Sequence, residues 1–173
     1  MRVGSIIKGH KANISAGPWS EEKLRSKDFP LLKKKGRVYP VTRRWRWQIS
    51  SFEAVGRKFR VMASYHSLLP EFMAVLAEDV GQDCRILARW EFHESHGGWH
   101  AHSCCEDIDK QTPGLVKTAG TVRIPAAGTY HRHRNLLNEG YDMNDKIATA
   151  IAFDLCGLPQ NYDMFVKSAV PWF

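Results

Sequence analysis

Apolar and polar side chains alternate through the middle of this chain. Trp45, Trp47 and Ile49 interleave with Arg44, Arg46 and Gln48, and Phe59, Val61, Ala63 and Tyr65 interleave with Lys58, Arg60 and Ser64. A period of two sends successive side chains to opposite faces, so these runs predict strands over about Arg43 to Phe52 and Lys58 to His66. The same period from Cys84 to Glu94 sets Ile86, Ala88, Trp90 and Phe92 against Arg85, Arg89, Glu91 and His93, and a fourth strand covers Trp99 to Cys105. Between the two pairs, Pro70 fits a first helical turn, Phe72, Val75, Leu76 and Val80 recur at helical spacing, and Gly81 offers a stop. That segment predicts a helix over Pro70 to Val80. Further on, Gly120 to Ile124 reads as a short edge strand. Met143 to Cys156 reads as a helix with Asp142 as N-cap, Ile147, Ile151 and Leu155 as its apolar line, and Gly157 as its end.

The first forty residues contain Gly17-Pro18, Phe29-Pro30, Lys33-Lys34-Lys35-Gly36 and Tyr39-Pro40, all of which interrupt regular elements. Residues 1–40 therefore read as a basic, largely irregular arm, with room for one short helix near Ser20 to Lys27, and 41–173 as a single α+β domain. The order strand-strand-helix-strand-strand predicts an antiparallel sheet of four to five strands with helices packed on one face. If every apolar face meets those helices, the open face carries Arg44, Arg46, Lys58, Arg60, Arg85 and Arg89.

Candidate chemistry concentrates where the third and fourth strands meet. The stretch Glu91-Phe92-His93-Glu94-Ser95-His96-Gly97-Gly98-Trp99-His100-Ala101-His102-Ser103-Cys104-Cys105 holds four histidines, two carboxylates and two cysteines. Alternation on both sides of a glycine-containing break predicts a β-hairpin. With the turn centred between His96 and Gly97, His93 lies opposite His100 and Glu91 opposite His102. Glu91, His93, His100, His102 and Cys104 then share one face, with Trp90, Phe92, Trp99 and Ala101 on the other. A one-residue slip would mix the two sets.

Composition sharpens this picture. The 173 residues suffice for one domain with a core, and a 43% apolar fraction with six tryptophans excludes a disordered chain. No apolar run approaches a membrane span, so no membrane partner is expected. Four cysteines at 84, 104, 105 and 156 form no secreted disulfide pattern. A reducing, cytoplasmic setting is the expectation. The formal charge of +7 and pI near 9.4 point to a polyanionic partner. Nucleic acid is the first such partner, single-stranded DNA before RNA, with Arg44, Arg46, Lys58, Arg60, Arg89, Arg132 and Arg134 as its contacts.

Two imidazoles at alternate strand positions with a carboxylate alongside suit a divalent ion, Mn²⁺, Mg²⁺ or Zn²⁺, with open coordination positions. Glu91, His100 and His102 are the expected ligands, with His93 as a fourth. The segment Gly98-Trp99-His100-Ala101-His102, preceded by a strand with Glu91, resembles the metal-binding strand of the HUH endonucleases, the rolling-circle initiators and relaxases. The resemblance implies an antiparallel sheet with the ion on its open face. It also implies a downstream tyrosine that cleaves single-stranded DNA and stays joined to the 5′ phosphate. Tyr162, with Lys167 after it, is the first candidate and Tyr130 the second. Two other readings stand beside it. One is a metal-independent ribonuclease using histidines, with His131, Arg132, His133 and Arg134 supplying the residue types. The other is a passive nucleic-acid-binding module with a structural zinc held by His93, His100, His102 and Cys104.

Overall fold

The computed structural model describes residues 1–25, 27–30, 41, 43–93, 98–115, 121–125 and 143–160. Helix α1 (Val3–Lys8) leads into strand β1 (Ala12–Ala16). Five strands then follow: β2 (Trp45–Ala54), β3 (Arg57–His66), β4 (Glu71–Val80), β5 (Asp83–His93) and β6 (Gly98–Cys104). A 3-10 turn at Ile108–Lys110, strand β7 (Thr121–Pro125) and helix α2 (Asp145–Cys156) complete the described elements. The strands lie side by side in chain order, each neighbouring pair antiparallel. The class is α+β, but the sheet has seven strands rather than four or five.

One added strand is β4, where a helix was expected. Its residues from Phe72 to Ala77 are all buried, on both faces of the sheet. A strand covered on both sides carries no polar alternation, so its apolar run also fits helical spacing. Gly81 terminates nothing helical. With φ of 63° it opens the two-residue turn between paired Val80 and Asp83. The other added strand, β1, comes from the amino-terminal segment. Ile6 and Phe29 of that segment are fully buried, and Ser20 bridges Trp47 across a β-bridge where a short helix was expected. Val3, Ile6, Leu24 and Phe29 thus tie the amino-terminal segment to the core. The helix at the carboxyl side starts at Asp145 with Asn144 as its cap, because the Asn144 side chain accepts the Ile147 N–H; Asp142 lies outside the described residues. Gly157 ends it as expected, at φ of 66°, and a Cβ there would meet the Ile7 carbonyl oxygen at 2.1 Å. Only glycine suits both the backbone and the close approach of α1.

Core residues lie on both faces. On the helix side, α1 and α2 cover Phe52, Phe59, Val61, Phe72, Trp90 and Trp99. On the other, Leu24, Phe29 and Val41 cover Trp47, Met62, Met73, Val75 and Ile86. The expectation that all apolar faces meet the helices therefore fails. Trp47 pairs with Ser64 and Gln48 with Ala63, so Trp45, Trp47 and Ile49 project away from the face that holds Val61 and Ala63. Strand β5 switches its pattern at a bulge. Leu76 pairs with Ala88 but Ala77 with Ile86, leaving Leu87 as the extra residue. Ala88, Trp90 and Phe92 face the helices, while Ile86 and Cys84 turn to the opposite core.

Polar contacts fix α2 on the sheet. Asp145 accepts from Arg46 at 2.7 Å through each carboxylate oxygen and from the Tyr65 hydroxyl at 2.8 Å. One turn on, the Thr149 hydroxyl lies 3.1 Å from Gln48 Oε1 and accepts from Trp19 Nε1. At the opposite end of the strands, Arg57 and Arg85 share buried Glu78 and Asp109.

Two outcomes follow from these local features. Val55 begins the β2–β3 turn at φ of 47°, a conformation that a β-branched residue adopts with strain of about 1–3 kcal/mol. Its side chain is 50% exposed. Val55→Asn should raise the unfolding midpoint, and an unchanged or lower midpoint would contradict the strain. Hydrogen bonds from Arg57 and then Arg85 push the Asp109 carboxyl down to about 2 from its ordinary 3.8. The unfolded chain protonates first as pH falls. The stabilisation is therefore present above pH 3.8 and is lost as pH falls toward about 2. The stability gap between wild type and Asp109→Asn should hold from about pH 7 to 5 and shrink below about pH 4; a gap that does not change with pH would contradict it.

Candidate metal centre

Glu91, His100 and His102 come together because β5 and β6 pair in one particular register. Glu91 stands opposite His100 and Arg89 opposite His102. The expected register is off by two residues. His93 faces Gly98 rather than His100, so the centre of the β5–β6 pairing falls one residue earlier than expected. A shift of two preserves parity, so Glu91, His100 and His102 still share one face, opposite Trp90, Phe92, Trp99 and Ala101. The next pair extends the pattern, with His102 opposite Arg123 and His100 opposite Pro125 of β7.

Across the sheet this makes two transverse rows on the face away from the helices. One runs Ile49, Met62, Val75, Arg89, His102, Arg123, and the other Trp47, Ser64, Met73, Glu91, His100, Pro125. The β2–β4 half of each row is mostly apolar and lies under Leu24 and Phe29. In the β5–β7 half, Arg89, Glu91, His100, His102 and Arg123 are polar and make up the cluster and its flanks.

The Glu91 carboxylate is the hub. Its Oε2 lies 3.0 Å from His100 Nε2 and 3.6 Å from His102 Nε2. Its Oε1 lies 3.0 Å from Arg89 Nε, an ion-pair contact whose angle falls outside hydrogen-bond geometry. Glu91 and Arg89 are only 12% and 14% exposed, so their opposite charges offset one another in a poorly solvated place. Burial, and then the positive charge of Arg89, holds His102 below the ordinary histidine value, which favours the neutral imidazole a metal requires. One donor atom from each of the three residues can be chosen so that all lie within 4.8 Å of one another. Two ligands about 2.1 Å from one ion are themselves roughly 3–3.5 Å apart at tetrahedral or octahedral angles. The 3.0 Å between Glu91 and His100 falls in that range, and the 3.6 Å between Glu91 and His102 lies just above it. Two imidazoles and a carboxylate suit Zn²⁺ or Mn²⁺, and three protein ligands leave positions for water or substrate.

The other expected site residues are placed differently. His93 lies in β5, one row beyond the cluster, and its side chain is outside the described residues. Cys104 does not join the imidazoles. At the end of β6 it packs into the helix-side core, and its thiol lies 3.5 Å from the Glu106 carbonyl oxygen. A small thiol behaves as an apolar group there. The continuous basic face is not assembled either. Arg46 faces α2 and binds Asp145, Arg60 binds Asp79 and the Asp28 carbonyl, and Arg85 is turned to Glu78 by the bulge. Arg89 is committed to Glu91. Arg44 sits before β2 at φ of 77°, and Arg44 and Lys58 are exposed. Tyr130, Arg132, Arg134 and Tyr162 lie outside the described residues, as do His131 and His133. Arg123 was missed by the sequence reading. It sits in a segment expected as a strand, but only the β6–β7 register brings it beside His102. All four cysteines are free thiols, and among the described residues no helix is long and apolar enough to cross a membrane.

No family model, curated protein or solved structure matches this chain. The cluster therefore stands on its own geometry.

Titrating Zn²⁺ or Mn²⁺ into the protein should raise the unfolding midpoint, by the equivalent of about 2.7 kcal/mol at a hundredfold excess over Kd. His100→Ala and His102→Ala should abolish that gain. Glu91→Gln should abolish it too, and should also destabilise the metal-free protein by about 3 kcal/mol through the stranded Arg89 charge. A midpoint that rises equally in all three variants would place the ion elsewhere.

Proposed function

We propose that this protein binds a divalent ion through Glu91, His100 and His102 and uses it to cleave phosphodiester bonds in single-stranded nucleic acid, DNA in preference to RNA. The observation that carries this reading is the half-buried trio of two imidazoles and one carboxylate, spaced for one ion with coordination positions to spare. Such an ion acts as a Lewis acid toward a non-bridging phosphate oxygen. The formal charge of +7 supports a polyanionic partner, with Arg44, Lys58 and Arg123 as exposed cations and Arg132 and Arg134 as further contacts. A closed structural zinc shell is less well supported, since Cys104 points into the core.

The nucleophile in this proposal is a tyrosine, Tyr162 before Tyr130, as the likeness to HUH endonucleases implies. Its phenolate forms a bond to phosphorus, the bond to the 3′ oxygen breaks, and that oxygen takes up a proton. The product is a 5′-phosphotyrosine link and a free 3′ hydroxyl.

Incubation with end-labelled single-stranded DNA and Mn²⁺, followed by a denaturing gel, tests the whole proposal. A protein–DNA adduct is expected, lost in Tyr162→Phe and in His100→Ala. An adduct lost only in Tyr130→Phe would reassign the nucleophile. Cleavage without an adduct would replace the tyrosine by water. Cleavage of RNA alone in EDTA would overturn the metal reading in favour of acid–base catalysis by the histidines.

A further inference from the structure

We propose that Arg123, on edge strand β7, receives a phosphate group bound at the Glu91, His100 and His102 centre, and that Arg89 is a positioning residue for Glu91. The inference depends on the metal reading above and adds the residue that would read the substrate's charge.

Arg89 and Arg123 flank His102 on neighbouring strands and on one face. Directly opposed residues in an antiparallel pair are about 5 Å apart, so both guanidiniums reach the surroundings of the imidazole. Their situations differ. The Arg89 side chain is 14% exposed, and its Nε lies 3.0 Å from the Glu91 oxygen that does not face the histidines. When Oε2 serves an ion, Oε1 remains with Arg89. The arginine then fixes the carboxylate's orientation, the usual task of a partner behind a ligand.

Arg123 is exposed and has no ion pair among the described residues. By contrast, Arg46, Arg57, Arg60, Arg85 and Arg89 each lie against a carboxylate. Glu91 and Arg89 offset each other, and the imidazoles are neutral as ligands. Among the described residues, a bound divalent ion and Arg123 would therefore leave positive charge that no carboxylate offsets. A neutral ligand such as an amide or a sugar hydroxyl would not offset it. A phosphate group would, because one oxygen can coordinate the ion while another accepts from the guanidinium.

The test uses the full chain and two successive titrations. Mn²⁺ is titrated first, then phenyl phosphate is titrated into the loaded protein, with acetate as the control anion. Wild type should bind phenyl phosphate only when loaded. Arg123→Gln should keep its Mn²⁺ affinity within about twofold and lose phenyl phosphate affinity about tenfold or more. Arg123→Lys should fall between the two. Arg89→Gln should instead lose Mn²⁺ affinity, by about tenfold to a hundredfold. Phenyl phosphate bound equally well by Arg123→Gln, or by the metal-free protein, would overturn the proposal. Acetate binding as tightly as phenyl phosphate would also overturn it. Failure of the first titration in wild type would refute the metal reading itself, before any anion is added.

Discussion

Strands β5 and β6 exchange backbone hydrogen bonds in a register that sets Glu91 against His100 and Arg89 against His102. Every contact in the cluster follows from that pairing. A slip of one residue would turn His100 and His102 into the helix-side core and bring Trp99 and Ala101 out. The apolar partners make such a slip costly, because Trp90, Phe92 and Trp99 are all buried against the helices. Packing on one face therefore holds the polar groups of the other in place. A carboxylate only 12% exposed would be costly there alone. Arg89 on one side and the imidazoles on the other make it tolerable.

The same sheet sets the cluster beside an apolar patch that the amino-terminal segment covers. On the face away from the helices, Leu24, Phe29 and Val41 cover the strands that present Trp47, Met62 and Val75. Trp47 is fastened to this cover by its own backbone, bonded to Ser20, and by its indole N–H, which donates to the Glu22 carbonyl oxygen at 2.7 Å. Arg89, Glu91, His100 and His102 lie beyond that cover, on the strands toward β7. The amino-terminal segment thus lies over the apolar half of the face, beside the polar half that holds the cluster. Along with the fixed register, this gives a rigid platform on strands rather than on loops.

Much of this was legible in the sequence, for identifiable reasons. Strands β2, β3, β5 and β6 were readable because apolar and polar residues alternate along them, and the shared face of Glu91, His100 and His102 followed from parity. The exact partners were not, because they depend on the turn, and a loop centre displaced by one residue moves each pair by two. Strand β4 was misread because a doubly buried strand loses its polar face, and because Pro70 and Gly81 punctuate helices and hairpins alike. The basic face was misjudged because a sequence shows an arginine but not the carboxylate it meets. Arg46 finds Asp145 ninety-nine residues away, and Arg85 is redirected by a bulge that one extra residue, Leu87, introduces. Arg123 needed the β6–β7 register, which no local pattern specifies.

The central claim is that one divalent ion sits between Glu91, His100 and His102. Anomalous diffraction from a crystal soaked in Zn²⁺, collected on both sides of the zinc absorption edge, tests it most directly. The account predicts a single strong peak about 2.0–2.2 Å from an oxygen of Glu91 and from one nitrogen each of His100 and His102. It also predicts that Arg89 stays on the other Glu91 oxygen. A strong peak at other residues, or none on this face with the ion in excess, would contradict it.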